Sequence, residues 1–271
     1  ADVDNVFVTG DNQTKAQAAS RYFFDSAARV HFFREPGDAP KDGSPPALNK
    51  VGHGLHLDNS TPFGAYSRSR RIAEVARTVA GLRAPVLPQS MYIFKGAHVG
   101  GVVTSHQDGT FLYTRPRQSV VGLWLALHDA HEGNGCLWAR PGSHHEPLRR
   151  RFVRTENADG ETVMTFVNAS AKKPESFWSA DPWWRRAWGW LAGRWLGRSR
   201  GPAPSHRRVL ESAEAARAWE GSWPPSERDL DAAELTARGF VPLPVRAGDL
   251  VVFPGTLDHL SLPNSSPDDR H

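Results

Sequence analysis

The sequence predicts a mainly β domain with flanking helices, on three observations. Short runs rich in β-branched and aromatic residues follow one another through the middle of the chain: SMYIFK (90–95), GVVTSH (101–106), SVVGLWLALHD (119–129) and GCLWA (135–139). Gly, Pro and Asn clusters separate them, as turns separate strands. Strand character returns late, at FVPLPVR (240–246) and LVVFPG (250–255), on either side of a turn at Ala247-Gly248-Asp249. Closely punctuated short strands of this kind build a barrel or sandwich with helices outside it.

Taken in order, residues 15–24 read as a short helix, and 39–47, with three prolines and a glycine, as a loop. Over 65–82, Ile72, Val75, Ala76 and Val79 recur at helical spacing, with Gly81 as the stop. The runs 149–155 and 161–166 flank Glu156-Asn157-Ala158-Asp159-Gly160, which predicts a hairpin. Helix-like stretches follow at 208–218 and 226–237, and no internal repeat is found.

Composition narrows the function classes. A chain of 271 residues, 39% of them hydrophobic, can bury one sizeable core. Its single cysteine excludes an internal disulfide, so a reducing, cytoplasmic setting is the expectation. No run of 18 apolar residues marks a membrane span, and the first ten residues lack the pattern of a signal peptide. A net charge of +4 spread along the chain gives no reason to expect nucleic acid as a partner. A monomer acting on a small molecule is the default.

Ten tryptophans are out of line, and eight of them (Trp178, Trp183, Trp184, Trp188, Trp190, Trp195, Trp219 and Trp223) crowd into one window. A Trp/Arg-rich insertion at about 169–235 therefore interrupts a single domain spanning 1–271. Trp184, Trp188, Leu191 and Trp195 share a helical face, the pattern of a membrane-surface scaffold, while Gly189, Gly193 and Gly197 oppose a stable helix.

The sharpest chemical feature is His106-Gln107-Asp108. At the end of a strand, alternation puts residues 106 and 108 on one face, where an imidazole and a carboxylate can point at one ion. A third ligand would complete a two-His, one-carboxylate facial triad, which leaves coordination positions open and suits non-heme Fe(II). With 12 histidines and 29 acids, one such pair is expected by chance, so the neighbourhood decides. His259 lies just past the run 250–253, and Arg270 follows it with the geometry to clamp a carboxylate. His53, His56, His128, His131 and His144 are set aside as ligands, and Cys136 reads as a packed core thiol.

These residues, with NKVGHGLH (49–56), QSMYIFK (89–95), SHQDGTFLYT (105–114), VGLWLALHDA (121–130), NGCLWARPGSH (134–144) and the stretch 241–270, resemble the phytanoyl-CoA dioxygenase (PhyH) family of Fe(II)/2-oxoglutarate oxygenases. The resemblance implies a double-stranded β-helix (jelly-roll, cupin-like) core. It implies iron ligation by His106, Asp108 and His259, which are also the catalytic residues. Arg270 would hold the distal carboxylate of 2-oxoglutarate, with Ser261 beside it, and Lys50, Met91, Gln107 and Trp124 would line the co-substrate pocket. The implied reaction couples decarboxylation of 2-oxoglutarate, with O2, to succinate and CO2 with hydroxylation of a small organic substrate. Family halogenases lack the carboxylate ligand, so Asp108 favours hydroxylation. Against the family pattern, the chain is expected to lack an N-terminal helical part and a last core strand, which leaves a catalytically inactive relative as the competing expectation.

Overall fold

The computed structural model describes residues 6–7, 20–36, 46–169 and 231–271. The Trp/Arg-rich stretch from 170 to 230, including the predicted helix at 208–218, lies outside them, as do residues 15–19.

The chain enters through α1 (Arg21–Asp25), started by the Ser20 hydroxyl accepting the Phe23 N–H at 3.2 Å. Then come β1 (Val30–Arg34) and β2 (Leu48–His53), which join β3 (Ser90–Ile93) in an antiparallel sheet of order β1-β2-β3. The single helix expected over 65–82 is two helices, α2 (Pro62–Ser67) and α3 (Arg70–Thr78). Ser69 is extended and its hydroxyl caps the Ile72 N–H, so a new helix starts where periodicity alone runs on. The stop at Gly81 holds: its φ is +67°, and the Leu82 N–H turns back onto Ala76 O at 2.9 Å.

The core is built from β4 (Val103–His106), β5 (Val121–Leu125), β6 (Leu137–Ala139), β9 (Val241–Leu243), β10 (Leu250–Pro254) and β11 (His259–Ser261). One sheet has the order β4-β11-β6-β9, and β10 pairs with β5 in a second. β4, β5 and β6 alternate between the two sheets, and so do β9, β10 and β11, while β6 and β9 pair with each other; this is the winding of a double-stranded β-helix. Trp124 and Val251 are register partners on the two-stranded sheet, and both pack against buried residues from the facing sheet, among them Trp138, Ala139 and Leu260.

The predicted hairpin forms as β7 (Arg150–Glu156) and β8 (Thr162–Asn168). Its turn closes with Asn157 N donating to Glu161 O at 2.9 Å and Gly160 at φ +76°. Phe152 and Phe166, opposite each other across the hairpin, stack 4.7 Å apart and both meet Phe111. The helix expected to end at 237 is α4 (Ala232–Ala237), capped by Asp231 and anchored by buried Leu235. Among the described residues no helix is long and apolar enough to cross a membrane.

Candidate metal centre

Antiparallel pairing of β4 with β11 sets His106 directly opposite His259, with ring centroids 4.3 Å apart. Asp108 opens a short 3-10 turn (Asp108–Thr110) just beyond β4, and extended Gln107 keeps the alternation that brings residues 106 and 108 to one side. Asp108 Oδ1 lies 3.5 Å from His106 Nε2 and 3.7 Å from His259 Nε2. The three side chains offer one ligand atom each, all within 4.8 Å of one another. Donors at roughly 2.0–2.2 Å from a common ion are spaced like this.

The hydrogen bonds settle the tautomers. His106 Nδ1 is 2.8 Å from Thr104 O and His259 Nδ1 is 3.0 Å from Leu257 O. A carbonyl only accepts, so each Nδ1 carries the proton, and in the neutral ring each Nε2 keeps its lone pair on the side of Asp108. Metal-ligating histidines are held this way. Burial opposes charge on all three groups. For Asp108 the imidazoles outweigh burial and hold the carboxyl below its ordinary pKa. Burial and the neighbouring His106 push His259 down, whereas for His106 the hydrogen bond and charge of Asp108 overcome burial and raise it. An ionised carboxylate beside a histidine that resists protonation is a donor set ready for a divalent cation.

The other predicted residues fall into groups. Arg270 is buried and pairs through its backbone with Lys95, while its guanidinium donates to Asn134 O at 2.9 Å and Gly135 O at 3.0 Å. It has no carboxylate partner among the described residues, and burial lowers its pKa to about 10. Trp124 lies 5.7 Å from that guanidinium. Ser261, two residues past His259 on β11, is buried opposite Leu137, just beyond the loop that Arg270 grips. Lys50 and Met91 meet on the β2–β3 sheet, Nζ to Sδ at 3.5 Å, with Nζ also over the rings of Phe7 and Phe33. Gln107 is not brought to the ligand face. Its amide donates to Thr256 O at 2.9 Å and accepts from Arg149 N at 3.1 Å, so the side chain joins loops behind the site.

The histidines set aside stay outside the metal group. His53 is buried against the Ser26 hydroxyl at 2.8 Å, with burial pushing its pKa to about 3, and His56 bonds the Ser90 hydroxyl at 2.8 Å. Cys136 is fully buried and free. Sequence reasoning missed Asp258, Arg140 and Arg149, which meet behind the ligands, and Lys95, whose buried ammonium donates to Leu262 O at 3.1 Å and to Gly101 O. No periodicity marks such pairs. A charged residue inside an apolar strand run was the available signal for Lys95.

The family model for phytanoyl-CoA dioxygenase (PhyH) matches residues 11–271. The chain belongs to the PhyH family. "Phytanoyl-CoA dioxygenase domain-containing protein 1" of Mus musculus is 34% identical over 265 residues, covering 96% of this chain and 69% of that protein. Its Bos taurus counterpart is 46% identical over 150 residues, 54% of this chain and 51% of that protein. "Phytanoyl-CoA dioxygenase 1" of Oryza sativa subsp. japonica is 34% identical over 98% of this chain and 71% of its own length. The chain thus spans between about half and about seven-tenths of these PhyH relatives. The family is one of Fe(II)/2-oxoglutarate oxygenases, and the His-Asp-His group gives this member a donor set of the matching kind.

Proposed function

We propose that this chain is an Fe(II)- and 2-oxoglutarate-dependent dioxygenase that hydroxylates a small organic substrate. The observation that carries the reading is the His106, Asp108 and His259 group with both Nε2 lone pairs turned inward. When bound, iron and 2-oxoglutarate supply oxidative decarboxylation to succinate and CO2, and with it the means to oxidise a substrate C–H bond.

The residues of the chain have separate tasks. His106, Asp108 and His259 would hold the metal. Arg270, buried with no carboxylate partner among the described residues, receives the distal carboxylate of 2-oxoglutarate, with Ser261 beside it. Its remaining N–H groups form a fork, and among the described residues its charge has no counter-ion, a costly state that an anionic co-substrate relieves. Trp124 forms the wall next to the guanidinium, and Lys50 and Met91 bound the pocket from the β2–β3 sheet. Gln107 acts from behind, by holding the ligand loop. Because Asp108 supplies a carboxylate to the metal, hydroxylation is favoured over halogenation.

The test is anaerobic reconstitution with Fe(II), followed by admission of O2 and measurement of succinate released from 2-oxoglutarate. Release that disappears in His106→Ala is the expected result. A metal-loaded, folded chain that releases no succinate, with or without added candidate substrates, would overturn the proposal.

A further inference from the structure

Behind the two histidines lies a second polar cluster. The backbone alternates faces, so Ser105 and Asp258, each preceding a histidine ligand, project away from the ligand side. They are diagonal neighbours across the β4–β11 pair, and the Ser105 hydroxyl donates to Asp258 Oδ1.

Asp258 is completely buried and saturated with donors. Arg149 grips both carboxylate oxygens, at 2.8 and 2.9 Å, and Arg140 reaches Oδ2 through Nε at 3.3 Å and a terminal nitrogen at 3.2 Å. Arg140 is in turn held by Glu146 in a bidentate pair, both bonds 2.7 Å. The main chain of Asp258 is fixed as well: its N–H donates to the Ser143 hydroxyl at 2.9 Å and its carbonyl accepts from Arg140 N at 3.0 Å. Arg149 also binds the segment between the other two ligands, since its backbone N–H donates to Gln107 Oε1.

We infer that Asp258 is the positioning residue for the metal centre, a buried carboxylate that fixes both histidine ligands through the residues preceding them. The inference rests on the reading of His106, Asp108 and His259 as a metal site. A buried ionised carboxylate is costly to desolvate, and hydrophobic packing of the same volume would often be as stable. What the cluster provides beyond stability is registration. One anion ties Ser105, and so His106, to His259, while its arginine partner ties Gln107, the residue between His106 and Asp108. Outer partners of this type set ligand orientation, and their loss typically lowers metal affinity by about 10- to 100-fold.

The test uses the whole chain and a metal alone. Mn(II) affinity is measured by electron paramagnetic resonance, and ligand field by the visible absorption of the Co(II)-loaded protein. Asp258→Asn is expected to weaken Mn(II) by about 10- to 100-fold and to shift the Co(II) bands. Ile72→Ala, buried on α3 and outside the core clusters that hold Leu260 and Phe253, serves as a control that lowers stability and leaves both readouts unchanged. Should Asp258→Asn fail to fold, Ser105→Ala removes one bond and no charge, and a several-fold weakening with shifted bands is expected. A folded Asp258→Asn, or Ser105→Ala in its place, with wild-type Mn(II) affinity and Co(II) spectrum would overturn the inference. So would Ile72→Ala if it moved both readouts equally. Failure of the wild-type chain to bind Mn(II) would instead overturn the metal-site reading itself.

Discussion

Replacing Lys95 by Met should change how stability responds to pH. Lys95 is buried, and among the described residues its ammonium donates to the carbonyls of Gly101 and Leu262. Burial and the nearby Arg270 lower its pKa from 10.5 to about 7, with Glu35 the acid opposing them. Because the folded pKa is below the unfolded one, the unfolded chain binds the extra proton between those values, and stability rises with pH across that window. The penalty is complete below about pH 7 and vanishes near pH 10.5. At about 1.4 kcal/mol per unit, wild-type stability should gain about 2 kcal/mol from this group between pH 7 and pH 9. Lys95→Met has no such slope. It carries instead a pH-independent cost from two unpaired buried carbonyls, about 1–3 kcal/mol each. Urea unfolding of both proteins at several pH values should therefore show the wild-type advantage widening as pH rises. Parallel stability curves would refute the reasoning, because they would mean Lys95 keeps its ordinary titration inside the fold.

Phe152→Ala should cost about 3–5 kcal/mol in urea unfolding, because Phe152 is buried against Phe166 and Phe111. Gly122→Ala should cost about 1–3 kcal/mol, since the new Cβ would fall 2.5 Å from the Phe253 ring. Phe253 itself packs 4.6 Å from His259, so Mn(II) affinity should fall as well, read in the same samples. Arg270→Lys should weaken 2-oxoglutarate binding about 10- to 100-fold, the worth of one or two charge-assisted bonds. Calorimetric titration with Mn(II) present checks this, and Mn(II) affinity should stay the same.

What could be read from the amino acids follows from how local each signal is. His106 and Asp108 are two residues apart at a strand end, so alternation alone places them together. His259 follows a β-rich run and a turn, and β4–β11 pairing closes the remaining gap. The hairpin was equally plain, because its turn and both strands are contiguous. Ser69 shows the limit of periodicity: the apolar spacing passes through it, yet the first helix ends at Arg68 and the Ser69 hydroxyl caps the start of the next. The strand Val30–Arg34 (VHFFR) carries Val and Phe, but its partner Leu48–His53 (LNKVGH) has one Val among Asn, Lys, Gly and His, so no local pattern disclosed their pairing.

The support behind the metal site obeys no such local rule. Arg140, Arg149 and Asp258 come from separate parts of the chain, and nothing in their spacing distinguishes them from solvated charges. Only the four-stranded sheet, by placing β11 between β4 and β6, brings the start of β11 beside the loops that follow β6. Gln107 makes the same point from the other side. The family resemblance put it with the co-substrate pocket, yet the alternation that aims His106 and Asp108 forward turns Gln107 toward Thr256 and Arg149. A site built on strands thus has two faces in every three residues. The outward one is written in ligand chemistry that a sequence displays, and the inward one in hydrogen bonds that exist only once distant segments meet.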